Sequence, residues 1–269
     1  MPELPEVETT KKGLEPFILN SKVKAVNIHF KTLRWPIAQE TKSIEGLKSI
    51  ELERRAKYLL WHFKHGTVVM HLGMSGAMRI VSAKEPLQKH DHFEVIFANG
   101  KALRFNDPRR FGAVLWQAKD ESLELLDNLG PEPLTDEFNT DYLQQSLSKR
   151  KSAIKNAIMT NQVVVGVGNI YASEALFIAG IKPMAVANKV SKPRLAKLVD
   201  AIKQVLAKAI KEGGTTLKDF TQTDGNPGYF AQQLNVYGRD GEECFQCDST
   251  IKRKVIGQRA SYYCGNCQR

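Results

Sequence analysis

The sequence predicts an α+β protein with a strand-rich first half, a helical second half and a small C-terminal cysteine module. Three observations predict this class. Apolar residues alternate from about residue 20 to 117, a pattern typical of half-buried strands. After the Gly130-Pro131-Glu132-Pro133 segment the apolar residues recur at helical spacing instead, and all four cysteines lie after residue 243. With 269 residues, the chain is longer than one core needs, so at least two domains are expected.

The strand-rich part is expected to begin with a short helix, with Pro5 in its first turn and Gly13 near its end. Strands are predicted where apolar residues alternate or run together: Val26, Ile28 and Phe30; Leu59, Trp61 and Phe63; and Val68 to Leu72. The Asn99-Gly100 pair predicts a two-residue hairpin, because both residues tolerate the positive φ of a type I′ turn.

The helical part contains one strongly amphipathic segment, which begins at Pro193 and is stopped by Gly213-Gly214. Its apolar face is formed by Leu195, Leu198, Val199, Ile202, Val205, Leu206, Ala209 and Ile210. Gly168-Asn169 opens a second predicted helix, from Ile170 to Phe177. The free N–H groups at its start could bind phosphate, or Asn169 could simply cap the helix.

The chain is basic: 39 Lys and Arg against 29 Asp and Glu give a formal charge of +10, which favours a polyanionic partner. A basic protein that binds no polyanion is the alternative on composition alone. No apolar run reaches the length of a membrane span, and the first residues are acidic where a signal peptide would be basic and then apolar. A cytosolic protein is therefore expected.

The cysteines form two pairs, Cys244-x-x-Cys247 and Cys264-x-x-Cys267, separated by the sixteen residues 248 to 263. This spacing predicts a four-cysteine zinc ribbon rather than four unrelated thiols. Four sulfur ligands leave no open position on the metal, so the zinc is structural. The intervening residues can form a hairpin whose cations suit a phosphate backbone, although a solvated surface is an alternative: Lys252, Arg253, Lys254 and Arg259.

The N-terminus places Pro2, Glu3 and Glu6 close together. Removal of Met1 would expose a secondary amine, which could attack a sugar C1′ and form an iminium that promotes phosphate elimination. An α-amino group titrates near about 8, so part of it is neutral at neutral pH. Glu3 could donate or shuttle protons. The alternative is that Pro-Glu merely begins a helix.

Three segments of the strand-rich part place cations or apolar side chains beside turns: RRAKY, HLGMSG and DPRRFG. A protein that grips phosphates and wedges side chains into a base stack needs such groups. Each segment alone is unspecific, because a lysine after a strand is usually solvated and a methionine before a turn is usually in the core.

Taken together, these strings resemble the bacterial formamidopyrimidine-DNA glycosylase family, also called 8-oxoguanine DNA glycosylase. The matching strings span nearly the whole chain in the family's order: PELPEVET, RRAKYLLW, HLGMSG, DPRRFG, VVVGVGNIYASEALF, GGTTLKDF, DGNPGYFAQQLNVYGR, and the CFQC to YYCGNC module. The resemblance implies a base-excision-repair enzyme that removes oxidised purines from duplex DNA and then cuts the strand by β,δ-elimination.

The resemblance also implies roles for individual residues. Pro2 would be the Schiff-base nucleophile and Glu3 the general acid, with Glu6 behind them. Lys57 would assist β-elimination and Arg259 δ-elimination. The gap left by the flipped base would be filled by Met74, Arg109 and Phe111, with Arg109 reading the orphaned cytosine. The other expected DNA contacts are His71, His90, Arg150, Lys151, Lys155, Asn169 and Tyr237, and the four cysteines would hold one zinc ion.

The family's fold implies three domains: a two-layered β-sandwich over residues 2–130, a helix-two-turn-helix domain over 131–230 and a zinc-finger hairpin over 235–269. Residues Thr215 to Tyr229 would form a loop that closes on the extruded base. A monomer is the default expectation.

Two alternatives remain at this point. The related endonuclease VIII type uses the same proline chemistry on oxidised pyrimidines, but that branch typically has Gly where this chain has Leu4. A DNA-binding protein without catalysis is the other alternative, and the presence of Pro2, Glu3 and Lys57 argues against it.

Overall fold

The structure is a computed structural model that describes residues 1–19, 21–214 and 234–269. The predicted loop over 215–229 lies outside these residues. The described chain divides into two compact units. Unit one contains residues 1–127 and 212–214, and unit two contains residues 128–211 and 234–269. None of the described helices combines the length and apolar character that crossing a bilayer requires.

In unit one, two four-stranded antiparallel sheets pack against each other, and a helix precedes the first strand. The helices are α1 (Leu4–Ile18) and the single turn α2 (Glu124–Asp127), and a 3₁₀ segment covers Gln39–Ile44. The strands are β1 (Val23–Ile28), β2 (Glu51–Arg55), β3 (Tyr58–Phe63), β4 (Gly66–His71), β5 (Ala77–Ser82), β6 (Asp91–Phe97), β7 (Lys101–Asn106) and β8 (Ala113–Ala118).

The strand order is β1-β6-β7-β5 in one sheet and β2-β3-β4-β8 in the other. Side chains from both sheets, including Trp61 and Phe93, share one buried core with Leu14 of α1. The predicted strands around Val26, Leu59 and Val68 are therefore confirmed, although Phe30 lies beyond the end of β1.

The predicted end of the first helix was wrong, because α1 continues through Gly13 to Ile18. Leu14 and Ile18 are fully buried in the core of unit one. Burial of apolar side chains stabilises a helix by more than the roughly 1 kcal/mol that an interior glycine costs.

The predicted hairpin at Asn99-Gly100 exists, but its loop differs from the prediction. Ile96 pairs with Ala102, and the backbone N–H of Gly100 donates to the Phe97 carbonyl at 3.1 Å. Gly100 has a φ of 81°, whereas Asn99 is not in the left-handed region. The connection is thus a type I turn followed by a left-handed glycine, which is the usual three-residue hairpin loop.

Unit two consists of helices and the cysteine hairpin. Its helices are α3 (Thr140–Leu147), α4 (Ile154–Ile158), α5 (Asn169–Ile178) and α6 (Lys192–Lys211), with a 3₁₀ turn at Ala187–Lys189. Helix α6 matches the predicted amphipathic segment, and it packs its apolar face against α3 and α5. The strands β9 (Ile251–Ile256) and β10 (Arg259–Cys264) form the predicted hairpin, which packs against α5.

The hairpin turns at Gly257 and Gln258, which have φ values of 55° and 64°. Because both residues are left-handed and Ile256 pairs with Arg259, this is a two-residue type I′ connection. The turn places Arg259 at the exposed end of β10.

Candidate active site and nucleic-acid interface

The start of the chain brings Pro2, Glu3 and Glu6 together at the first turn of α1, and all three side chains are buried. Glu6 caps the helix, because its Oε2 accepts the backbone N–H of Glu3 at 2.8 Å. Met1 is 39% exposed, so it is accessible to the aminopeptidase whose action would convert Pro2 into a secondary amine.

Lys57 follows the left-handed residue Ala56, which has a φ of 55°, in the two-residue connection between β2 and β3. Arg54 of β2 connects this turn to α1. Its Nε donates to Oε2 of Glu8 in α1 at 2.7 Å, and its Nη1 donates to the Ala56 carbonyl at 3.0 Å. The turn that carries Lys57 is therefore fixed relative to the helix that begins beside Pro2.

His71 ends β4 and lies close to Lys57. Its ring stacks at a tilt on Tyr58, with centroids 4.9 Å apart, and its Nδ1 accepts the backbone N–H of Gly73 at 3.0 Å. Burial, followed by the charges of Lys57 and Arg34, lowers the pKa of His71 to about 4. The imidazole is therefore neutral at neutral pH, and because Nδ1 accepts, Nε2 carries the proton and can donate it.

Two loops carry the predicted wedge residues, and we call residues 72–76 and 107–112 the wedge loops. Met74 and Phe111 line a cleft of about 560 Å³ that Met1 and His71 also line. The guanidinium of Arg109 lies 5.2 Å from the centroid of the Phe111 ring. Met1 and His71 thus meet Met74 and Phe111 at one cleft within unit one.

His90 lies at the edge of the same loops, in the turn before β6. Its carbonyl accepts the backbone N–H of Asp107 at 3.0 Å, and its ring lies 6.1 Å from that of His92. The predicted DNA contacts of unit one, His71 and His90, therefore flank the wedge loops.

In unit two, the structure corrects the predicted DNA contact of Lys155. The side chain is fully buried, and its ammonium donates to Asn169 Oδ1 at 2.6 Å, to Ser261 Oγ at 2.8 Å and to the Ala260 carbonyl at 3.1 Å. Three acceptors match the three donors of an ammonium group. Lys155 orients Asn169 and the start of β10 rather than meeting DNA itself.

Asn169 is the first residue of α5, and the cap is Gly168, so the simple capping role is wrong. The amide Nδ2 of Asn169 donates to the Ala260 carbonyl at 3.0 Å and lies 3.5 Å from the Tyr237 hydroxyl. The Tyr237 ring in turn packs edge-on against Tyr262 of the hairpin. Asn169, Tyr237 and the strand that begins with Arg259 therefore form one cluster.

Arg150 and Lys151 lie apart from this cluster, after α3. The guanidinium of Arg150 donates to the Ser146 carbonyl at 3.2 Å, while Lys151 is exposed.

The four cysteine sulfurs converge within 4.8 Å of one another. The Cys247–Cys264 and Cys244–Cys267 sulfur distances are 3.4 and 3.9 Å, too long for a disulfide of about 2.05 Å and close to the roughly 3.8 Å edge of a zinc–sulfur tetrahedron. Hydrogen bonds from Asn266 and Ser249 lower the pKa of Cys247 to about 6. These residues fit one structural zinc ion, as predicted.

Sequence reasoning missed two buried carboxylates. Asp107 joins the wedge loops, and Glu174 of α5 accepts the backbone N–H groups of Asn235, Val236 and Tyr237 at 2.8 to 2.9 Å. Asp107 stands inside the DPRRFG string, but its burial depends on Ser75, which is 32 residues away. No local sequence pattern predicts such a contact.

The fold and the site together define a DNA-repair glycosylase that carries a zinc ribbon. Three family models match: the formamidopyrimidine-DNA glycosylase N-terminal domain over residues 1–114, its H2TH domain over 129–221, and the zinc finger found in FPG and IleRS over 241–269. The chain belongs to the formamidopyrimidine-DNA glycosylase family. This confirms the predicted family and the predicted fold: a β-sandwich, a helix-two-turn-helix domain and a four-cysteine zinc finger.

Individual relatives agree with this assignment. The formamidopyrimidine-DNA glycosylase of Alteromonas mediterranea is 55% identical over 269 residues and covers 100% of both chains. The Lactococcus lactis Fpg bound to DNA with an abasic site is 31% identical, with a TM-score of 0.92 over 99% of both chains. The Lactococcus lactis Fpg bound to Fapy-dG DNA is 31% identical, with a TM-score of 0.91 over 99% of this chain and 100% of the other.

Proposed function

We propose that this chain excises 8-oxoguanine and formamidopyrimidines from duplex DNA and then cuts the strand as a lyase, with Pro2 as its nucleophile. The observation that carries the proposal is the joint burial of Pro2, Glu3 and Glu6 at the helix start, where Met1 lines the cleft of the wedge side chains. The Fapy-dG and abasic-site complexes of the Lactococcus lactis relative support the same substrate class.

The reaction begins after Met1 is removed. The neutral Pro2 nitrogen attacks C1′ of the damaged nucleotide, forming an N–C1′ bond as the base–C1′ bond breaks, and the N–H proton of Pro2 leaves with the base. Glu3 gives a proton to the ring oxygen as the sugar opens, which leaves a cationic iminium. Glu6 holds the backbone of Glu3 in place through the 2.8 Å hydrogen bond.

The iminium acidifies C2′. Loss of a C2′ proton expels the 3′ phosphate by β-elimination, and a further proton loss expels the 5′ phosphate by δ-elimination. Water then hydrolyses the iminium and frees Pro2, which leaves a one-nucleotide gap. Lys57 assists the first elimination by binding the flanking phosphate, and Arg259 at the hairpin end assists the second. Neutral His71 donates its Nε2–H to the same backbone.

Base flipping leaves a gap that Met74, Arg109 and Phe111 fill. The exposed edge of an unpaired cytosine carries two adjacent acceptors, whereas adenine carries one acceptor beside a donor. The Arg109 guanidinium has only donors, so it prefers cytosine. Asn169, Tyr237, His90, Arg150 and Lys151 hold phosphates, with Lys155 acting through Asn169.

Zinc supplies structure and no chemistry, because its four thiolate ligands close the coordination sphere.

We further propose that domains run over residues 2–130, 131–230 and 235–269, and that the enzyme acts as a monomer on nucleoid DNA in the cytoplasm. A glycosylase for oxidised pyrimidines is not favoured, since the relatives are named for purine-derived lesions.

The test is to insert one serine between Met1 and Pro2, so that the proline nitrogen remains part of a peptide bond after Met1 is removed. Cutting of a duplex with 8-oxoguanine opposite cytosine should fall by at least about a thousandfold, because covalent catalysis is lost. Affinity for a duplex with an uncleavable abasic analogue should change less than about threefold. Retained cutting by the variant, or faster wild-type cutting of dihydrouracil than of 8-oxoguanine, would refute the proposal.

A further inference from the structure

Asp107 ties the two wedge loops together. Its side chain is fully buried, and each carboxylate oxygen accepts a hydrogen bond: Oδ1 from the Ser75 hydroxyl and Oδ2 from the Gly112 backbone N–H, both at 2.8 Å. Ser75 belongs to the loop of Met74, and Gly112 follows Phe111. One carboxylate therefore fixes the distance between the loops that carry the wedge side chains.

The backbone at Arg109 and Arg110 is held by Ser75, which binds this carboxylate, and by the backbone carbonyl of Asp107. Ser75 Oγ also accepts the backbone N–H of Arg109 at 3.3 Å, and the Asp107 carbonyl accepts the Arg110 N–H at 3.2 Å. His92 Nε2 donates to the same carbonyl at 2.9 Å. The backbone on both sides of the Arg109 side chain is thus held by Asp107 or by its direct partner.

The loops also touch directly, through Gly73, whose φ is 65°. A Cβ at this position would overlap the backbone of Phe111 and Gly112. The loops are therefore in close backbone contact at Gly73.

We propose that Asp107 is a positioning residue for opposite-base recognition: it sets the placement of Arg109 and Phe111 relative to Met74, and so determines how strongly excision prefers cytosine over adenine opposite the lesion. This inference rests on the proposed function. Specific pairing requires side chains placed to within about 0.5 Å, and hydrogen bonds that lock supporting loops provide such placement. Asp107 itself touches neither base nor sugar.

The variants form a graded series. Asp107→Ala removes both connections of the carboxylate. Ser75→Ala removes the connection between the loops, together with the acceptor of the Arg109 N–H, and keeps the one to Gly112. Asp107→Asn can retain both in one orientation, because its amide oxygen accepts from Gly112 while its NH₂ donates to Ser75 Oγ. Asp91→Ala is the matched control: Asp91 is another buried carboxylate of the same unit, and it binds Arg79 and Asn106 rather than the wedge loops.

The measurement is single-turnover excision of 8-oxoguanine opposite cytosine and opposite adenine, with borohydride trapping on a single-stranded abasic oligonucleotide as the baseline. The cytosine preference should fall at least about fivefold in Asp107→Ala and less in Ser75→Ala, and Asp107→Asn should restore most of it. Asp91→Ala should melt earlier yet keep the preference. Trapping, which needs no opposite base, should stay within about twofold of wild type in every variant.

A folded Asp107→Ala enzyme that keeps the cytosine preference would overturn the inference, as would an equal loss in Asp91→Ala. If Asp107→Ala does not fold, an unchanged preference in Ser75→Ala refutes the proposal. Wild-type enzyme that neither excises 8-oxoguanine nor traps would refute the proposed function itself, and this inference with it.

Discussion

The wedge loops of unit one and the cysteine hairpin of unit two both present cations on connections between short strands, yet they are held in place in different ways. The wedge loops are fixed by one buried carboxylate and by direct backbone contact at Gly73. The hairpin depends on four thiols that converge on one point. The first surface is completed by folding alone, whereas the second also needs a metal ion.

The hairpin is not held by its cysteines only. The Gly257 turn packs against the Asn156 side chain, and Lys155 donates to Ala260 and Ser261 at the start of β10. Glu174 holds the segment that leads into the hairpin. Unit two therefore also uses a buried carboxylate, but to attach a module whose own turns need zinc.

The largest expected effect comes from removing zinc. Cys244→Ser, or a chelator, should disorder the hairpin and weaken duplex binding by at least about tenfold, because structural zinc contributes on the order of 10 kcal/mol to the folding of such modules. Fluorescence anisotropy with a labelled duplex measures this loss.

The same variant offers an internal control. All three tryptophans, Trp35, Trp61 and Trp116, lie in unit one. The urea transition seen by tryptophan fluorescence should therefore stay where it is. Unchanged duplex affinity in a zinc-free sample, or a large shift of the tryptophan transition, would contradict the contrast between the two surfaces.

A smaller effect is expected from Glu174→Gln. The glutamine NH₂ would face backbone N–H groups, which leaves buried donors without acceptors, so the free energy of unfolding of unit two should fall by about 3 kcal/mol. Circular dichroism at 222 nm with urea measures it. The control is Asp141→Asn, whose side chain is 79% exposed in its pair with Lys192 and should change stability by less than about 1 kcal/mol. Equal effects of both substitutions would show that Glu174 has no special role.

The smallest effect concerns pH and the wedge region. Burial, Lys57 and Arg34 lower the pKa of His71 from 6.5 to about 4, so between these values the unfolded chain binds a proton that the folded chain does not. Stability of unit one should therefore fall as pH drops below 6.5, with a contribution from His71 of about 1 to 2 kcal/mol by pH 5. Above pH 6.5 His71 is neutral in both the folded and the unfolded chain, so it no longer lowers the stability.

Tryptophan-detected urea unfolding at pH 7 and pH 5 tests this. His71→Asn, which can keep the acceptor for the Gly73 N–H, should reduce the difference between the two pH values, and the exposed His65→Gln should leave it unchanged. If both variants behave like wild type, His71 does not titrate as described.

Short-range patterns predicted much of this protein. The alternation around Leu59, the helical period from Leu195 and the cysteine spacing are local, and the structure confirms all three elements. The end of α1 was wrong because burial of Leu14 and Ile18 is decided by the sheets, not by Gly13.

The same difference between local patterns and long-range contacts applies to the site. The strings that contain Lys57, Met74 and Arg109 were visible, but the groups that orient them were not. The resemblance implied that Lys155 contacts DNA, but its burial depends on Asn169 and Ser261, the latter 106 residues away. Asp107 and Glu174 were not predicted for the same reason, because a sequence does not distinguish a buried carboxylate from a solvated one.

The central claim is that the N-terminal proline carries out the chemistry, and borohydride trapping tests it most directly. The enzyme is incubated with a duplex that has 8-oxoguanine opposite cytosine, reduced, digested and mapped by mass spectrometry. We expect one DNA adduct, on the peptide that begins with Pro2 and lacks Met1. An adduct on a lysine such as Lys57, or trapping only on a dihydrouracil duplex, would contradict the account.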